Sequence, residues 1–214
     1  MVQGARHRLD AAPVESVYAK LCGERAGVDV GEVLVFTSPD GINWTLVNRV
    51  ITEARLGFMW ECPDYLELPP AADGSAPALK VLGVCPQGLE GGDWARRNVY
   101  QSGYLPVRGD LMGGSELGEF RLLDAGFDFY APQSFEARDG RRILISWMGM
   151  PDEPVYGNGP TISAGWQHCL GLPRGLTAGQ NGALRQQPVR EVEGMRGAET
   201  AATGELAIEG DAAR

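Results

Sequence analysis

Short runs of β-forming residues, each closed by a glycine- or proline-containing turn, constrain this chain more than any other feature. Glu32-Val-Leu-Val-Phe-Thr-Ser38 is followed by Pro39-Asp40-Gly41 and then by Trp44-Thr-Leu-Val-Asn-Arg-Val50, which reads as a hairpin. The same reading pairs Ala78–Cys85 with Asn98–Val107 across a glycine-rich connection. It also pairs Phe129–Phe135 with Arg142–Trp147 across Arg138-Asp139-Gly140. Asp10–Val30 reads as a loop or insertion between two short strands, the second being Ser16–Cys22. No segment holds a helical period over three turns, and 30 glycines and 14 prolines punctuate the strands. The chain is therefore all-β, and its regular hairpins fit a sandwich or a propeller.

Composition removes several function classes. The net charge is -9 and the Lys and Arg residues are scattered, whereas binding a phosphate backbone needs clustered positive charge. No nucleic-acid partner is expected. No apolar run is long enough to cross a bilayer, so no membrane partner is expected either. Cys22, Cys62, Cys85 and Cys169 form no CxxC pair, and His7 and His168 are the only histidines; a metal centre would need several such ligands converging. The reading is no metal, no cofactor, and reduced thiols in a cytoplasmic protein. Met1–Arg6 lacks the pattern of a signal peptide.

One stretch carries chemistry. In Phe58-Met-Trp-Glu-Cys-Pro-Asp64 a carboxylate lies between an indole and a thiol, and the proline after them interrupts regular strand pairing. Such a context can aim one acid into a pocket. An apolar wall disfavours the charged carboxylate, which is what a general acid working near neutral pH requires.

Trp60-Glu61-Cys62-Pro63-Asp64 resembles the acid/base motif of glycoside hydrolase family 32, which holds the invertases, sucrose-6-phosphate hydrolases, inulinases and levanases. Gly126-Phe-Asp-Phe-Tyr-Ala-Pro-Gln-Ser-Phe135, Arg141-Arg-Ile-Leu-Ile-Ser-Trp-Met-Gly-Met-Pro151 and Gly165-Trp-Gln-His-Cys-Leu-Gly-Leu-Pro-Arg174 resemble three later blocks of that family, in order. The resemblance implies a partial five-bladed β-propeller of about three blades over residues 1–175. Residues 176–214 would be a linker and the start of a truncated C-terminal β-sandwich.

It also implies a reaction: retaining hydrolysis of a terminal β-D-fructofuranoside, with Glu61 as the acid/base. Asp128, Trp60 and Trp147 are the expected sugar-binding residues, and His168 is expected to be structural. The substrate would be a small carbohydrate: sucrose, sucrose 6-phosphate or a fructan. The family's nucleophile block, Asn-Asp-Pro-Asn-Gly, and its Arg-Asp-Pro block do not occur in the sequence. The expectation is thus a fragment that is inactive and poorly soluble alone. A non-catalytic carbohydrate-binding remnant is the alternative, and the intact Glu61 with Trp60 and Pro63 favours an active parent. Leu170-Gly-Leu-Pro-Arg-Gly-Leu176 departs from the family by having glycines where Thr and Glu are usual.

Overall fold

The computed structural model describes residues 4–7, 14–25, 28–53, 55–91, 98–152 and 159–197. These form three antiparallel sheets. In the first, β1 (Gly4–His7), β2 (Val14–Arg25), β3 (Val28–Ser38) and β4 (Thr45–Val50) pair in sequence order. The second holds β5 (Met59–Leu68), β6 (Leu79–Gln87), β7 (Gly103–Arg108) and β8 (Glu116–Leu117), with β9 (Arg121–Leu122) also on β7. The third joins β10 (Tyr130–Glu136), β11 (Arg142–Met148), β13 (Arg174–Ala178) and β14 (Leu184–Pro188), with β12 (Cys169–Leu170) also on β11. Among the described residues, helical structure is confined to α1 (Gly159–Ser163) and two short 3-10 turns, Gln180–Gly182 and Arg190–Met195. Among the described residues no helix is long and apolar enough to cross a membrane.

All three expected hairpins are present. The turn between β3 and β4 shows why the sequence closes there. Asp40 Oδ1 accepts the backbone N–H of Ile42 and of Asn43, both at 2.8 Å, Ser38 Oγ accepts that of Gly41, and Gly41 takes φ +73. The reading of Asp10–Val30 as a loop or insertion is corrected: the strand expected at Ser16–Cys22 lies within β2, a strand of 12 residues that pairs with β3 from Val14↔Ser38 to Arg25↔Val28, while residues 10–13 and 26–27 lie outside the described residues. The alternation in Val14–Arg25 is masked by small and charged residues, and pairing with the apolar β3 overrides that weak local preference. The third sheet also continues past residue 175, because β13 and β14 pair with each other and β13 pairs with β11. Part of the segment expected as linker from 176 thus belongs to the third sheet, through β13 to Ala178 and β14 from Leu184 to Pro188, and residues 198–214 lie outside the described residues.

The middle sheet is covered on both faces, which accounts for the almost continuous apolar run of β6. One core lies against the first sheet and contains Val33, Val35, Val50, Trp60, Leu82, Val84 and Leu105. The other lies against the third sheet, with Leu66, Leu68, Val81, Tyr104, Phe129, Leu144 and Leu176. Successive residues Val81 and Leu82 serve opposite cores, as strand alternation requires. Each such fully buried side chain contributes about 1.5–3 kcal/mol of burial free energy.

Strand β5 breaks this alternation at one point. Trp60 faces the first sheet, yet Leu66 and Leu68, also at even positions, face the third. The parity changes because the β5–β6 register shifts between Glu61 and Asp64, where Cys62 takes φ 49. One extra residue in the strand turns every later side chain over.

Candidate active site

The β5 bulge has a counterpart. Strand β10 shifts register between Tyr130 and Gln133, and Ala131 takes φ 49. Positive φ at a non-glycine residue is uncommon and costly, and it persists only where the surroundings hold it. Here each bulge helps to hold the other. Gln133 Nε2 donates to the carbonyl of Cys62 at 3.2 Å, and the Ser134 backbone N–H donates to Asp64 Oδ2 at 2.7 Å. Arg142 Nη2 lies 3.7 Å from Asp64 Oδ1, while Arg142 Nε donates to Ser134 Oγ at 2.9 Å. Asp64 therefore ties the leading strands of two neighbouring sheets together.

This junction presents Glu61. Its half-buried carboxylate receives the phenol of Tyr130 at 2.7 Å and the amide of Gln87 at 3.1 Å, both on Oε2. Gln87 Nε2 also lies 3.4 Å from the Tyr130 hydroxyl, which completes a triangle. Among the described residues no hydrogen bond falls on Oε1. Burial, first, and then the neighbouring Cys85 and Glu61 hold the Tyr130 phenol well above its ordinary pKa, so it remains a donor throughout the working pH range.

Aromatic rings surround that donor. Trp147 packs edge-on to Tyr130 at 6.4 Å between centroids and to His168 at 5.0 Å. Tyr100 lies 6.1 Å from Tyr130 and donates its hydroxyl to Asp152 Oδ2 at 2.8 Å. Half-buried Trp147 is thus joined to Glu61 through Tyr130. Asp128 is exposed, two residues before Tyr130, on a segment fastened at both ends. Gly126 is held through Asp124 Oδ1 and Asn98 Nδ2, and Arg174 stands 4.7 Å over the ring of Phe129.

Trp60 does not join them. Expected to stack on a sugar, it is fully buried on the opposite face of β5, and its Nε1 donates to the carbonyl of Leu56 at 2.5 Å. A Cβ on Gly31 would come within 2.1 Å of its ring, so no sugar can reach it. For the same reason the indole is not the wall around the carboxylate; the groups that hold Glu61 are polar. Gln87, Asp64 and Tyr130 were not singled out by sequence. The available signals were the second Cys-Pro step, Cys85-Pro86, next to Gln87, and the proline within Tyr130-Ala-Pro132.

Glu61, Gln87, Tyr130 and Trp147 lie at one end of their strands. Two cavities of about 770 and 740 Å³ lie at the other end, one near Lys80 and Arg108, one near Glu67 and Arg190. Among the described residues no group of three or more His, Cys, Asp or Glu side chains could hold a metal ion.

Residues 14–188 match the family model described as the glycosyl hydrolases family 32 N-terminal domain. A sucrose-6-phosphate hydrolase of Staphylococcus xylosus is 40% identical over 176 residues, which cover 81% of this chain and 33% of the relative. That of Bacillus subtilis is 44% identical over 174 residues, 78% of this chain and 34% of its own length. The chain spans about a third of the length of these curated relatives. The solved sucrose-6-phosphate hydrolase of Lactobacillus gasseri superposes with a TM-score of 0.74 at 27% identity, covering 92% of this chain and 38% of that one, so the three sheets are part of that family's propeller. With the family model covering most of its length and the Trp60–Asp64 block at the junction of two sheets, this chain belongs to glycosyl hydrolase family 32.

Proposed function

We propose that this chain supplies the acid/base side of a retaining β-fructofuranosidase acting on sucrose or sucrose 6-phosphate, with Glu61 as the acid/base. The observation that carries the reading is the carboxylate itself: Oε2 is fixed by Tyr130 and Gln87, and Oε1 is left to meet a substrate. Fixing one oxygen orients the other, which is the positioning that proton transfer to a leaving group needs. In the first step Glu61 gives its proton to the glycosidic oxygen while a carboxylate on the far side of the anomeric carbon forms the fructosyl intermediate. In the second step Glu61 takes a proton from the attacking water.

That second carboxylate belongs to a block absent from this sequence, so the 214 residues alone are expected to be inactive. Asp128 and Trp147 are the residues we assign to the sugar, the first by a hydrogen bond from a hydroxyl, the second by its half-exposed ring. Sucrose 6-phosphate is the favoured substrate because the relatives above carry that name. A phosphorylated sugar does not cross a bilayer unaided, which supports a cytoplasmic location for the enzyme. Cys62, Cys85 and Cys169 form no disulfide with one another, as that compartment favours.

The test grafts residues 14–188 into the Bacillus subtilis sucrose-6-phosphate hydrolase in place of the matching third. The graft should release fructose from sucrose 6-phosphate, and Glu61→Gln should lower the rate by roughly 10²–10⁴. A folded graft that is inactive, or one unaffected by Glu61→Gln, overturns the proposal.

A further inference from the structure

Two thiols flank the Glu61 carboxylate and have no part in the hydrolysis. Cys62 is the bulge residue that follows it, and Cys85 is the residue facing Glu61 across the β5–β6 ladder. In an unbroken strand Cys62 would point to the opposite face from Glu61. The bulge instead packs it against the cluster of Cys85, Tyr130 and Met150. Both cysteines precede buried prolines, Pro63 and Pro86, which stiffen the two strands at this point.

We propose that Cys62 and Cys85 form a redox-modifiable pair, which an oxidised small-molecule disulfide converts into a Cys62–Cys85 disulfide beside the acid/base. The geometry assigns the roles. Cys62 is partly exposed and can be reached from solvent; Cys85 is fully buried. The Cys85 thiol hydrogen-bonds to Cys62 and holds the Cys62 thiol below its ordinary pKa, whereas burial pushes Cys85 up. Cys62 therefore supplies the attacking thiolate and Cys85 the resolving thiol.

The step balances. The Cys62 thiolate attacks one sulfur of the reagent RSSR, forming Cys62–S–SR and expelling RS⁻. Cys85 then loses its proton and attacks the Cys62 sulfur, forming the Cys62–Cys85 bond and expelling a second RS⁻. Two protein thiols are oxidised by two electrons, and one reagent disulfide is reduced to two thiols. Closing the bond brings the sulfurs from contact to about 2.05 Å and draws the Cβ atoms to about 3.5–4.5 Å. Glu61, bonded to Cys62, is pulled toward β6, and Cys85 gives up its 3.4 Å contact with Ser102 Oγ.

The chemistry of the pair does not depend on the function proposed for Glu61, and it is read without turnover. The 214-residue chain is treated with oxidised glutathione, the remaining thiols are alkylated, and tryptic peptides are mapped by mass. Cleavage after Lys80 separates the two cysteines. The expected product is the Cys62 peptide joined to the Cys85 peptide, lighter by two hydrogens than the two thiol peptides together and lost on reduction. Cys85→Ser should stop the reaction at glutathione on Cys62. The same treatment in urea should lose the cross-link, because the pairing depends on the bulge. Wild-type chain that stops at the mixed disulfide, reacts only at Cys169 or Cys22, or cross-links equally well when unfolded overturns the proposal.

Discussion

The Tyr130 phenol donates to Glu61 Oε2 at 2.7 Å across a separation of 69 residues, joining the leading strands of two sheets through their bulges. The Glu61 carboxylate and the phenol that holds it thus come from different sheets. Each is aimed by a local irregularity that the other strand stabilises.

Tyr130→Phe keeps the ring and removes only this donor. A hydrogen bond to a charged group contributes about 1.5–3 kcal/mol. In the grafted enzyme kcat/KM should fall by roughly ten- to a hundredfold, mainly through kcat, while thermal stability changes little. A fall in KM-dependent binding alone, with kcat unchanged, would show that Tyr130 serves the substrate and not the carboxylate.

Asp64 should matter more to the fold than to the reaction. Its side chain and that of Arg142 are 4% and 12% exposed, and removing one partner of a buried pair costs about 3–5 kcal/mol because it strands the other. Asp64→Ala should therefore lower the unfolding free energy of the chain by about 3 kcal/mol in urea denaturation, and Asp64→Asn by less, since the amide oxygen still accepts from the Ser134 N–H. Equal effects from both variants would mean that the cost lies in the lost charge and that the hydrogen bond from the Ser134 N–H contributes nothing.

The hairpins were legible because their turns carry specific chemistry: Asp40 and Gly41 in one, Asp139 and Gly140 in another. Glu61 drew notice through its Glu-Cys-Pro context and the family resemblance of that block, and the structure sets its carboxylate against Tyr130 and Gln87. The face of each side chain was not. A single extra residue at Cys62 reverses parity along β5, and nothing in a strand-like run says where such an insertion is absorbed. This is why Trp60, adjacent to the acid in sequence, lies in the core against Gly31, while Tyr130 and Gln87 reach the carboxylate. Long-range partners of this kind arise from how two sheets meet, which local pattern does not encode.

A second consequence concerns pH. The Arg141 guanidinium donates to both oxygens of Glu191, at 2.6 and 3.0 Å, and holds its carboxyl down at about 2. In the unfolded chain a glutamate titrates near about 4.3. Because the folded value is the lower one, the contribution is fully present above the unfolded value and is lost as pH falls from there through about 2. Both groups are exposed, so the effect is local and weakened by salt. Protection of the Arg190–Met195 amides, taken as the exchange rate relative to the unstructured chain at the same pH, should fall across that window, and Arg141→Met should show the lower protection already at pH 6. Protection that is flat from pH 6 to pH 2 would contradict this.

The two tryptophans expected to bind sugar should separate cleanly. Trp60→Phe loses the hydrogen bond to Leu56 and opens space against Gly31 in a fully buried site. It should lower the unfolding free energy by about 1–3 kcal/mol and leave the KM of the grafted enzyme unchanged. Trp147 is half-buried, and its ring packs edge-on to Tyr130 and His168. Trp147→Phe trims a surface available to a sugar ring, worth about 0.5–1.5 kcal/mol, and should raise KM roughly two- to tenfold with a smaller loss of stability. The opposite pattern, with KM responding to Trp60 and stability to Trp147, would mean that β5 presents its other face to the substrate, and the assignment of Glu61 would fall with it.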